Sequence, residues 1–492
     1  MACAFPLDIF RDPKTKKWRP PYHEFFTKEL TLQKKDFNMF CAFNGERPPP
    51  TIVNMWLPQK VTQGLNICET LHIPYYSVKQ HLNQVPNVNR KYPIIDMEFT
   101  GSLLPRQIEV ETEAWQQLQQ YGSTTLGLYT GFGKTVLSAV LACRCKLLTV
   151  VLVHRDLLIS QWCSTFENFT TAKDTIWVIG KNNPSHVDVI ICMDTRTDQI
   201  PLEIREAVGC VIIDEAHAFC TPSHIKCLLT FRPKYVIAAT ATLKRDDAMH
   251  KMIELIVGTH GVWRKASKLF KVYKVETDII PELQKVERYM SDRNGGVSRK
   301  SITDWHALSK SIYYDIERNE YICNLALNNL HRKILILTKE VGHSQYLVDV
   351  LKSKNITADD LCGTKSSYTD AQVLVGTVSK IGTGFDQESF CKTFDGKKFN
   401  MLILTCSIKK VNNLIQIAGR VFRSDDPVIY HLVDKSDLLE RHWKGCQKWY
   451  KQAGGEIFII NRSGKEVKKK SKSVKNEDIM DMVIDMVREQ NF

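Results

Sequence analysis

Two glycines, a lysine and a threonine stand close together in the stretch LYTGFGKT, which begins at Leu128. The stretch fits the phosphate-binding P-loop pattern except at its first position, where leucine replaces glycine. Gly131 and Gly133 allow backbone N–H groups to turn toward phosphates, and the helix that follows points its positive end at them. We therefore predict that Lys134 binds the β and γ phosphates of a nucleotide and that Thr135 supplies an oxygen to Mg²⁺.

Two adjacent carboxylates, Asp214 and Glu215, follow the apolar run VII. A pair at the carboxyl end of a buried strand lies where the ligands of open α/β sheets collect. Asp214 is predicted to bind Mg²⁺, directly or through water, and Glu215 to orient and deprotonate an attacking water. Together with the P-loop, this pair predicts a Walker B site and nucleotide hydrolysis.

The elements that must position these groups are short β-branched runs, which alternate with helical patterns from residue 123 onward. Such alternation is typical of parallel sheets with crossover helices, and it occurs here in two series. The expected fold class is therefore α/β, with two tandem domains built on parallel sheets. The predicted strands are 147–153, 187–193, 210–213 and 235–239 in the first series and 333–337, 372–376, 401–405 and 428–433 in the second.

The chain is long enough for several domains, because hydrophobic cores stop growing near ~250–300 residues. We place the boundary between the two sheets in the region from Phe270 to Lys310, near the polar Asn294-Gly295-Gly296 stretch. The predicted division begins with an N-terminal accessory domain of unnamed fold (1–100) and a first α/β domain (101–275). A linker or insertion (276–310), a second α/β domain (311–460) and a basic tail with a terminal helix (461–492) follow.

The composition is that of an ordinary globular protein, with a formal net charge of +13. A basic protein of this size favours nucleic acid as its partner, although a lysine-rich solvated surface would give the same charge. None of the 15 cysteines forms a CxxC pair, which predicts reduced, buried thiols. No signal peptide or membrane span is expected, so the predicted location is a reducing nucleocytoplasmic space, not a secreted one.

Four strings, TGFGKT, DEAH, ATAT and QIAGRVFR, begin at residues 130, 214, 239 and 416. In this order they resemble motifs I, II, III and VI of superfamily 2 helicases. Arg106-Gln107 resembles the adenine-contacting Q element, and VHRDLLISQW, which begins at Val153, resembles motif Ia. In the second series, 334–338 resembles motif IV and 375–386 resembles motif V. The resemblance covers the chain from about residue 104 to 433.

The resemblance implies that ATP lies between two RecA-like domains, with Mg²⁺ bound by Thr135 and Asp214. Arg420 and Arg423 would reach across from the second domain as arginine fingers, and Gln416 would also act in catalysis. The residues implied to contact the nucleotide are Gln107, Thr130, Gly131, Phe132, Gly133, Lys134, Thr135, His217, Gly384 and Asp386.

Nucleic acid would lie across both domains and be held chiefly through its phosphates, so binding should depend on salt and little on base sequence. For Arg155, a surface position at the start of a helix explains the residue as well as a contact with nucleic acid does. Motif III would link the ATP state to the nucleic-acid face. The implied contacts are His154, Arg155, Thr240, Thr242, Thr377 and Thr383.

The branch of the superfamily is indicated by TATLKRDD at 240–247, which resembles XPB-type and phage-repair-type DNA helicases. GRVFR also lacks the second glycine that is typical of RNA helicases, so the resemblance favours DNA, single-stranded or duplex. Residues 439–458 are similar to the end of helicases from large cytoplasmic DNA viruses, including the transcript-release helicases of poxviruses. Ile417 departs from the arginine often found after the motif VI glutamine, which leaves the role of that arginine unfilled here.

Three alternatives remain open at the level of sequence. They are an RNA helicase, a catalytically silent nucleic-acid-binding scaffold, and the motor of a restriction system, although residues 1–100 contain no evident nuclease motif. The expected partners are nucleic acid and the transcription or replication machinery, without a membrane, and the expected state is a monomer. For a viral protein, the viral factory or virion is the expected location.

Overall fold

The computed structural model describes most of the chain and carries two separate parallel sheets. Four residues with a predicted role, Thr242, Thr383, Gly384 and Asp386, lie outside the described residues, as does the helix predicted after Lys475. The described residues are 1–34, 51–63, 66–82, 89–241, 245, 247–264, 269–291, 297–382, 385 and 387–466.

The first sheet has seven strands, and every pairing between them is parallel. Its central strands consist of buried, β-branched residues, because helices cover both faces. In spatial order the strands are Val262–Arg264, Ser123–Leu128, Tyr235–Thr240, Cys210–Asp214, Thr149–Val153, Val189–Met193 and Ile176–Val178.

Among the described residues, six α-helices and three short 3₁₀ turns accompany this sheet. The α-helices are Pro105–Tyr121, Lys134–Cys145, Asp156–Phe169, Leu202–Ala207, Ile225–Thr230 and Lys251–Val257. The 3₁₀ turns are Asp194–Gln199, Ala216–Phe219 and Pro222–His224.

The second sheet also has seven parallel strands, which confirms the predicted α/β class with two tandem RecA-like domains. In spatial order they are Ala358–Leu361, Val373–Thr377, Ile334–Thr338, Met401–Leu404, Val428–Val433, Phe270–Glu276 and Gly455–Asn461. The helices are Trp305–Tyr313, Ile316–Leu327, Val341–Ser353, Val378–Ile381, Gln387–Phe390, Val411–Ala418 and Asp437–Gln452.

The change from one sheet to the other comes earlier than residue 275. Strand Phe270–Glu276 pairs with Val428–Val433 and Gly455–Asn461, so it belongs to the second sheet. The polar stretch that suggested a boundary lies instead between Lys285–Ser291 and Val297–Thr303, the two strands of an antiparallel ribbon. Turn-forming residues mark the end of a hairpin as readily as the end of a domain.

The N-terminal region holds an antiparallel sheet of three strands, a short two-stranded ribbon and a few helical turns. The sheet order is Ala2–Pro6, Asn66–Pro74, Leu57–Gln63. The remaining elements are the ribbon of Thr31–Gln33 and Ile52–Asn54, the α-helices Leu7–Phe10, Pro20–Glu24 and Tyr75–Leu82, and the π-helical turn Phe25–Glu29.

This N-terminal region shares one continuous hydrophobic core with the first sheet. His72 Nδ1 lies 2.8 Å from the Leu229 carbonyl oxygen, and the Tyr75 hydroxyl donates to the Lys234 carbonyl at 2.7 Å. The backbone N–H of Ala2 donates to the Phe231 carbonyl at 2.8 Å. The region is therefore packed against the first domain.

A buried ion pair links a helix of the second domain to its sheet. Arg318 is fully buried and donates to both carboxylate oxygens of Asp434, at 2.8 and 3.1 Å. It also donates to the Thr405 carbonyl at 2.6 Å, and the Thr277 hydroxyl donates to Asp434 at 2.7 Å. These bonds join helix Ile316–Leu327 to the carboxyl ends of three neighbouring strands.

Replacing Arg318 with methionine should lower the free energy of unfolding by about 3–5 kcal/mol, because the Asp434 carboxylate would stay buried without its cation. Urea denaturation followed by fluorescence measures the effect. The matched control is Arg462→Ala, which removes a surface pair with Glu317 at 2.9 Å and should cost less than about 1 kcal/mol. Equal losses in the two variants would contradict this account.

Candidate active site

The P-loop joins strand Ser123–Leu128 to helix Lys134–Cys145, as the sequence predicts. Gly131 and Gly133 have φ angles of 88° and 101°, in the left-handed region where a Cβ is strained. A Cβ on Gly133 would also lie 2.3 Å from the Gln107 side-chain nitrogen. Both positions therefore require glycine, and the loop conformation depends on them.

Gln107, in helix Pro105–Tyr121, forms a hydrogen bond with the P-loop. Its side-chain nitrogen donates to the Phe132 carbonyl at 2.9 Å, and its side-chain oxygen accepts from the Leu104 N–H at 2.9 Å. The Arg106 guanidinium lies 5.5 Å from the centre of the Phe132 ring. The Q-element residues are thus in direct contact with the loop that carries Lys134.

Lys134 and the acidic pair form a charged cluster in one cleft. The Lys134 ammonium donates to the Leu128 carbonyl at 3.1 Å, and one Asp214 oxygen accepts from the Glu215 N–H at 2.9 Å. Burial, and then the neighbouring Glu215, raise the pKa of Asp214 to about 6. Burial alone would raise the pKa of Glu215, but Lys134 and His217 outweigh it and hold that pKa below its usual value. The two carboxylates therefore have different proton affinities.

Trp162 is a residue that sequence reasoning left without a role. Its indole N–H donates to the other oxygen of Asp214 at 2.8 Å, and its side chain is fully buried. The preceding residue, Gln161, donates to the Thr135 hydroxyl at 3.3 Å. Gln161 and Trp162 thus contact the Thr135 hydroxyl and the Asp214 carboxylate, the two groups predicted to bind Mg²⁺. These two residues end the string VHRDLLISQW, which is the sequence signal that could have pointed to the contacts.

The second domain closes the same cleft, which has a volume of about 320 Å³. A Cβ on Gly131 would lie 3.3 Å from Arg423 Cγ, and a Cβ on Gly419 would lie 2.3 Å from Thr130 Cβ. Arg420 donates to the Gly382 carbonyl at 3.3 Å. The cleft is lined by Thr130, Gly131, Gly133, Lys134, Thr135, Leu158, Gln161, Asp214, Glu215, Glu388, Arg420 and Arg423.

A chain of hydrogen bonds also crosses between the domains. The Gln416 amide nitrogen lies 3.2 Å from His217 Nε2, and His217 Nδ1 lies 3.0 Å from the Thr240 hydroxyl and 3.4 Å from a Glu215 oxygen. Burial lowers the pKa of His217, so the ring is neutral near pH 7. With the amide donating to Nε2, the ring proton sits on Nδ1 and faces Thr240. Motifs II, III and VI are therefore in direct contact.

Two hydroxyls predicted to touch nucleic acid are not exposed to it. Thr240 is fully buried against His217, and Thr377 is 2% exposed. Both stand at the carboxyl ends of buried strands. Thr240 therefore contacts the DEAH loop, and direct contact of these two residues with the polymer stays a prediction.

Arg155 lies at the junction of the two domains, next to His154 in the chain. Burial lowers the pKa of His154 to about 4, so this ring carries no charge near neutral pH. Arg155 is partly exposed and donates to the Ser379 carbonyl of the second domain at 3.3 Å. A phosphate contact from Arg155 would therefore compete with an interdomain hydrogen bond.

The five cysteines that the sequence places in apolar runs, Cys143, Cys145, Cys192, Cys210 and Cys406, are buried, as predicted. Within the described part of the chain, no helix combines the length and apolar character that crossing a bilayer requires.

Comparison with known proteins agrees with this geometry. Residues 100–245, which include the P-loop and the DEAH string, match the family described as "Type III restriction enzyme, res subunit". The chain is 29% identical over 463 residues to "Putative helicase 161L" of Invertebrate iridescent virus 6, covering 85% of this chain and 99% of that protein. The match is therefore too long to be confined to one of the two domains.

Two further viral relatives differ in what their names state. "Transcript termination protein A18" of Myxoma virus is 24% identical over 362 residues, covering 66% of this chain and 71% of its own. "Putative ATP-dependent RNA helicase L396" of Acanthamoeba polyphaga mimivirus is 24% identical over 445 residues, covering 85% of this chain and 81% of that protein.

Among solved structures, yeast Dbp5 bound to RNA and ADP BeF3 has a TM-score of 0.50 and 13% identity, over 78% of this chain and 98% of that one. This likeness concerns the fold, with its two RecA-like domains. The ordered motifs, the shared cleft and the viral relatives together show that the chain is an ATP-dependent helicase, similar in its motifs to those of superfamily 2.

Proposed function

We propose that this helicase hydrolyses ATP in the cleft between its two sheets and uses the cycle to move along duplex DNA. The observation that carries the proposal is the composition of the cleft. Lys134, Asp214 and Glu215 come from the first domain, and Arg420 and Arg423 come from the second. Because the site needs both domains, a change in the nucleotide is coupled to the way the domains meet.

The preference for DNA rests on the string TATLKRDD and on a contact made by its arginine. Arg245 donates to both oxygens of Asp247, at 2.9 and 2.7 Å, and to the His217 carbonyl at 3.0 Å. The arginine of the DNA-helicase string therefore touches the DEAH loop. The name of the Myxoma relative supports transcript termination as the process, and DNA repair is the alternative setting.

An RNA helicase is the second candidate. The mimivirus relative carries that name and matches 85% of this chain, which is more than the Myxoma relative matches. The two candidates share the ATP site and differ in the polymer that stimulates it.

The donor set fits a Mg²⁺ ion bound together with ATP. Thr135 and Asp214 offer a hydroxyl and a carboxylate within one cleft, and hard oxygen ligands are those that Mg²⁺ prefers. When bound, the ion would neutralise charge on the phosphates. Gln161 and Trp162 hold these two ligands through their hydrogen bonds, so we infer that both are positioning residues.

Glu215 is suited to accept a proton from the attacking water. Its pKa is held below the usual value, so it is ionised at neutral pH, and it lines the cleft beside Lys134. Its backbone φ of 48° lies in the left-handed region, which is strained for a residue with a side chain and common at functional sites.

We assign residues 1–100 to an accessory domain packed on the first motor domain, which ends before Phe270. The ribbon and its flanks follow, and the second motor domain ends near residue 461. The proposed working form is a monomer that acts with viral transcription or replication machinery in a reducing viral factory or nucleocytoplasmic space.

Replacing Glu215 with glutamine should leave ATP binding intact and lower kcat by ~10²- to 10⁴-fold, because an amide cannot accept the proton from water. Nucleotide binding and steady-state hydrolysis measure the two effects separately. Glu203→Gln, on an exposed position of the same domain, is the matched control and should behave as the unaltered protein. Unchanged turnover in Glu215→Gln would remove this residue from the chemistry.

Replacing Arg423 with alanine should lower kcat by ~10³-fold or more while ATP affinity stays within about an order of magnitude, since a finger acts mainly on the transition state. Arg423→Lys should stay well below the unaltered protein, because lysine lacks the planar fork. Single-turnover ATPase measurements test both, with Arg462→Ala as the control. Normal hydrolysis in both Arg423 variants would mean that the second domain does not complete the site.

A further inference from the structure

A tryptophan lies beside a lysine and a histidine on the second domain. The Lys339 ammonium is 5.0 Å from the centre of the Trp305 ring, a distance at which a cation is attracted to an aromatic face. The centre of the His442 ring is 5.5 Å from that of Trp305. His442 Nδ1 lies 2.8 Å from the Ser407 hydroxyl. These four residues are called the Trp305 cluster below.

The Trp305 cluster is at the carboxyl edge of the second sheet, where open α/β sheets collect their ligands. Lys339 directly follows strand Ile334–Thr338, and Ser407 follows strand Met401–Leu404 after two intervening residues. The two strands are parallel neighbours, so both residues stand at the same edge.

Trp305 is held in place although part of it reaches solvent. The ring packs against the hydrophobic core of the second domain, and the residue is partly exposed. Trp305 begins helix Trp305–Tyr313, whose first turn donates two backbone N–H groups to the Asp304 carboxylate. A ligand that binds the ring would therefore not have to order the backbone that carries it.

Positive charge surrounds the Trp305 cluster. Burial lowers the pKa of His442, and three nearby cations act in the same direction. They are Lys409, Arg441 and Lys339, and all three are exposed. Within the part of the chain that the structure describes, neither Lys339 nor Lys409 pairs with a carboxylate. An aromatic ring beside such cations is the combination with which proteins hold single-stranded nucleic acid.

An unpaired nucleotide offers a partner to both parts of the Trp305 cluster. Its base can stack on the aromatic ring, and its phosphate attracts ammonium groups. Lys339 lies over the ring, and its flexible stem allows the ammonium to move from the ring to a phosphate as a base stacks. An acidic peptide would attract the lysines equally but would bring no flat group to the ring.

The Trp305 cluster also adjoins the helix that leads to the ATP cleft. Lys409 and Lys410 directly precede helix Val411–Ala418, and Arg420 lies just beyond its other end. A strand bound at the cluster would therefore contact the segment that enters this helix.

We propose that the Trp305 cluster binds an unpaired nucleotide of single-stranded DNA. Trp305 stacks on the base, and Lys339 and Lys409 contact phosphates. The proposal rests on the proposed function for the choice of DNA. It adds a contact with a separated strand, which movement along an intact duplex does not require.

The first test replaces Trp305 with leucine in the full chain, which keeps an apolar side chain for packing but removes the ring. Binding is measured with a fluorescent single-stranded DNA oligonucleotide and with one of the same length built from abasic nucleotides. Trp305→Leu should weaken binding of the first by about 5- to 100-fold and leave binding of the abasic strand nearly unchanged. Trp305→Phe, which retains a ring, should keep most of the affinity. Tyr314→Ala, at an exposed aromatic residue just after the same helix, is the control and should change neither.

The second test combines Lys339→Gln with Lys409→Gln. Loss of two phosphate contacts should reduce the slope of log affinity against log salt by about 1.4 on single-stranded DNA. Lys352→Gln combined with Lys354→Gln removes the same charge from exposed positions of the same domain and should leave the slope nearly unchanged. Because both lysines of the cluster are exposed, this test does not disturb packing.

Thermal unfolding checks that each variant folds. Equal losses on the natural and abasic strands in folded Trp305→Leu would mean that the ring only supports the fold, and the proposal would be overturned. An unchanged salt slope in the lysine variant would overturn it as well. A larger loss on RNA of the same sequence would overturn the choice of DNA. The motor assignment is tested separately, by whether duplex DNA stimulates ATP hydrolysis by the unaltered protein.

Discussion

A methyl group on Gly419 would come within 2.3 Å of the Thr130 Cβ, so the end of the motif VI helix can meet the P-loop only where residue 419 has no side chain. Arg420 and Arg423 follow directly, and both line the cleft with Lys134. The reach of these arginines into the nucleotide site therefore depends on this close approach. One helical turn before Gly419, Gln416 contacts His217, and this contact also requires the two domains to lie close together.

Charged residues from both domains set the pKa values of the two carboxylates in the cleft. Asp214 and Glu215 are buried side by side, and burial together with their mutual repulsion raises the pKa of Asp214 to about 6. Lys134 and His217 lower the pKa of Glu215, and Arg420 acts in the same direction from the second domain. Separation of the domains would remove that contribution. Domain closure and the ionisation of the acidic pair are therefore physically linked.

Part of the fold could be predicted, because buried parallel strands are often continuous β-branched runs, and the eight predicted strands each lie within two residues of a strand in the structure. The other six strands of the two sheets, Ser123–Leu128 among them, were not predicted. The P-loop and DEAH positions followed from their strand ends. The N-terminal fold could not be predicted, because its short strands are set by packing against the first domain. The contact from Trp162 to Asp214 and the burial of Thr240 and Thr377 depend on how distant strands and helices assemble. The ribbon was missed because its turn signals resemble those of a linker.

Closure of the two domains on ATP should be coupled to the binding of nucleic acid. Steady-state ATP hydrolysis by the full chain, measured with duplex DNA, single-stranded DNA and RNA at matched nucleotide concentrations, tests it most directly. We expect a low basal rate that rises several-fold or more when a polymer is added, with duplex DNA the strongest activator. A rate that no polymer changes would contradict the coupling itself, and stronger activation by RNA would contradict the assignment of DNA.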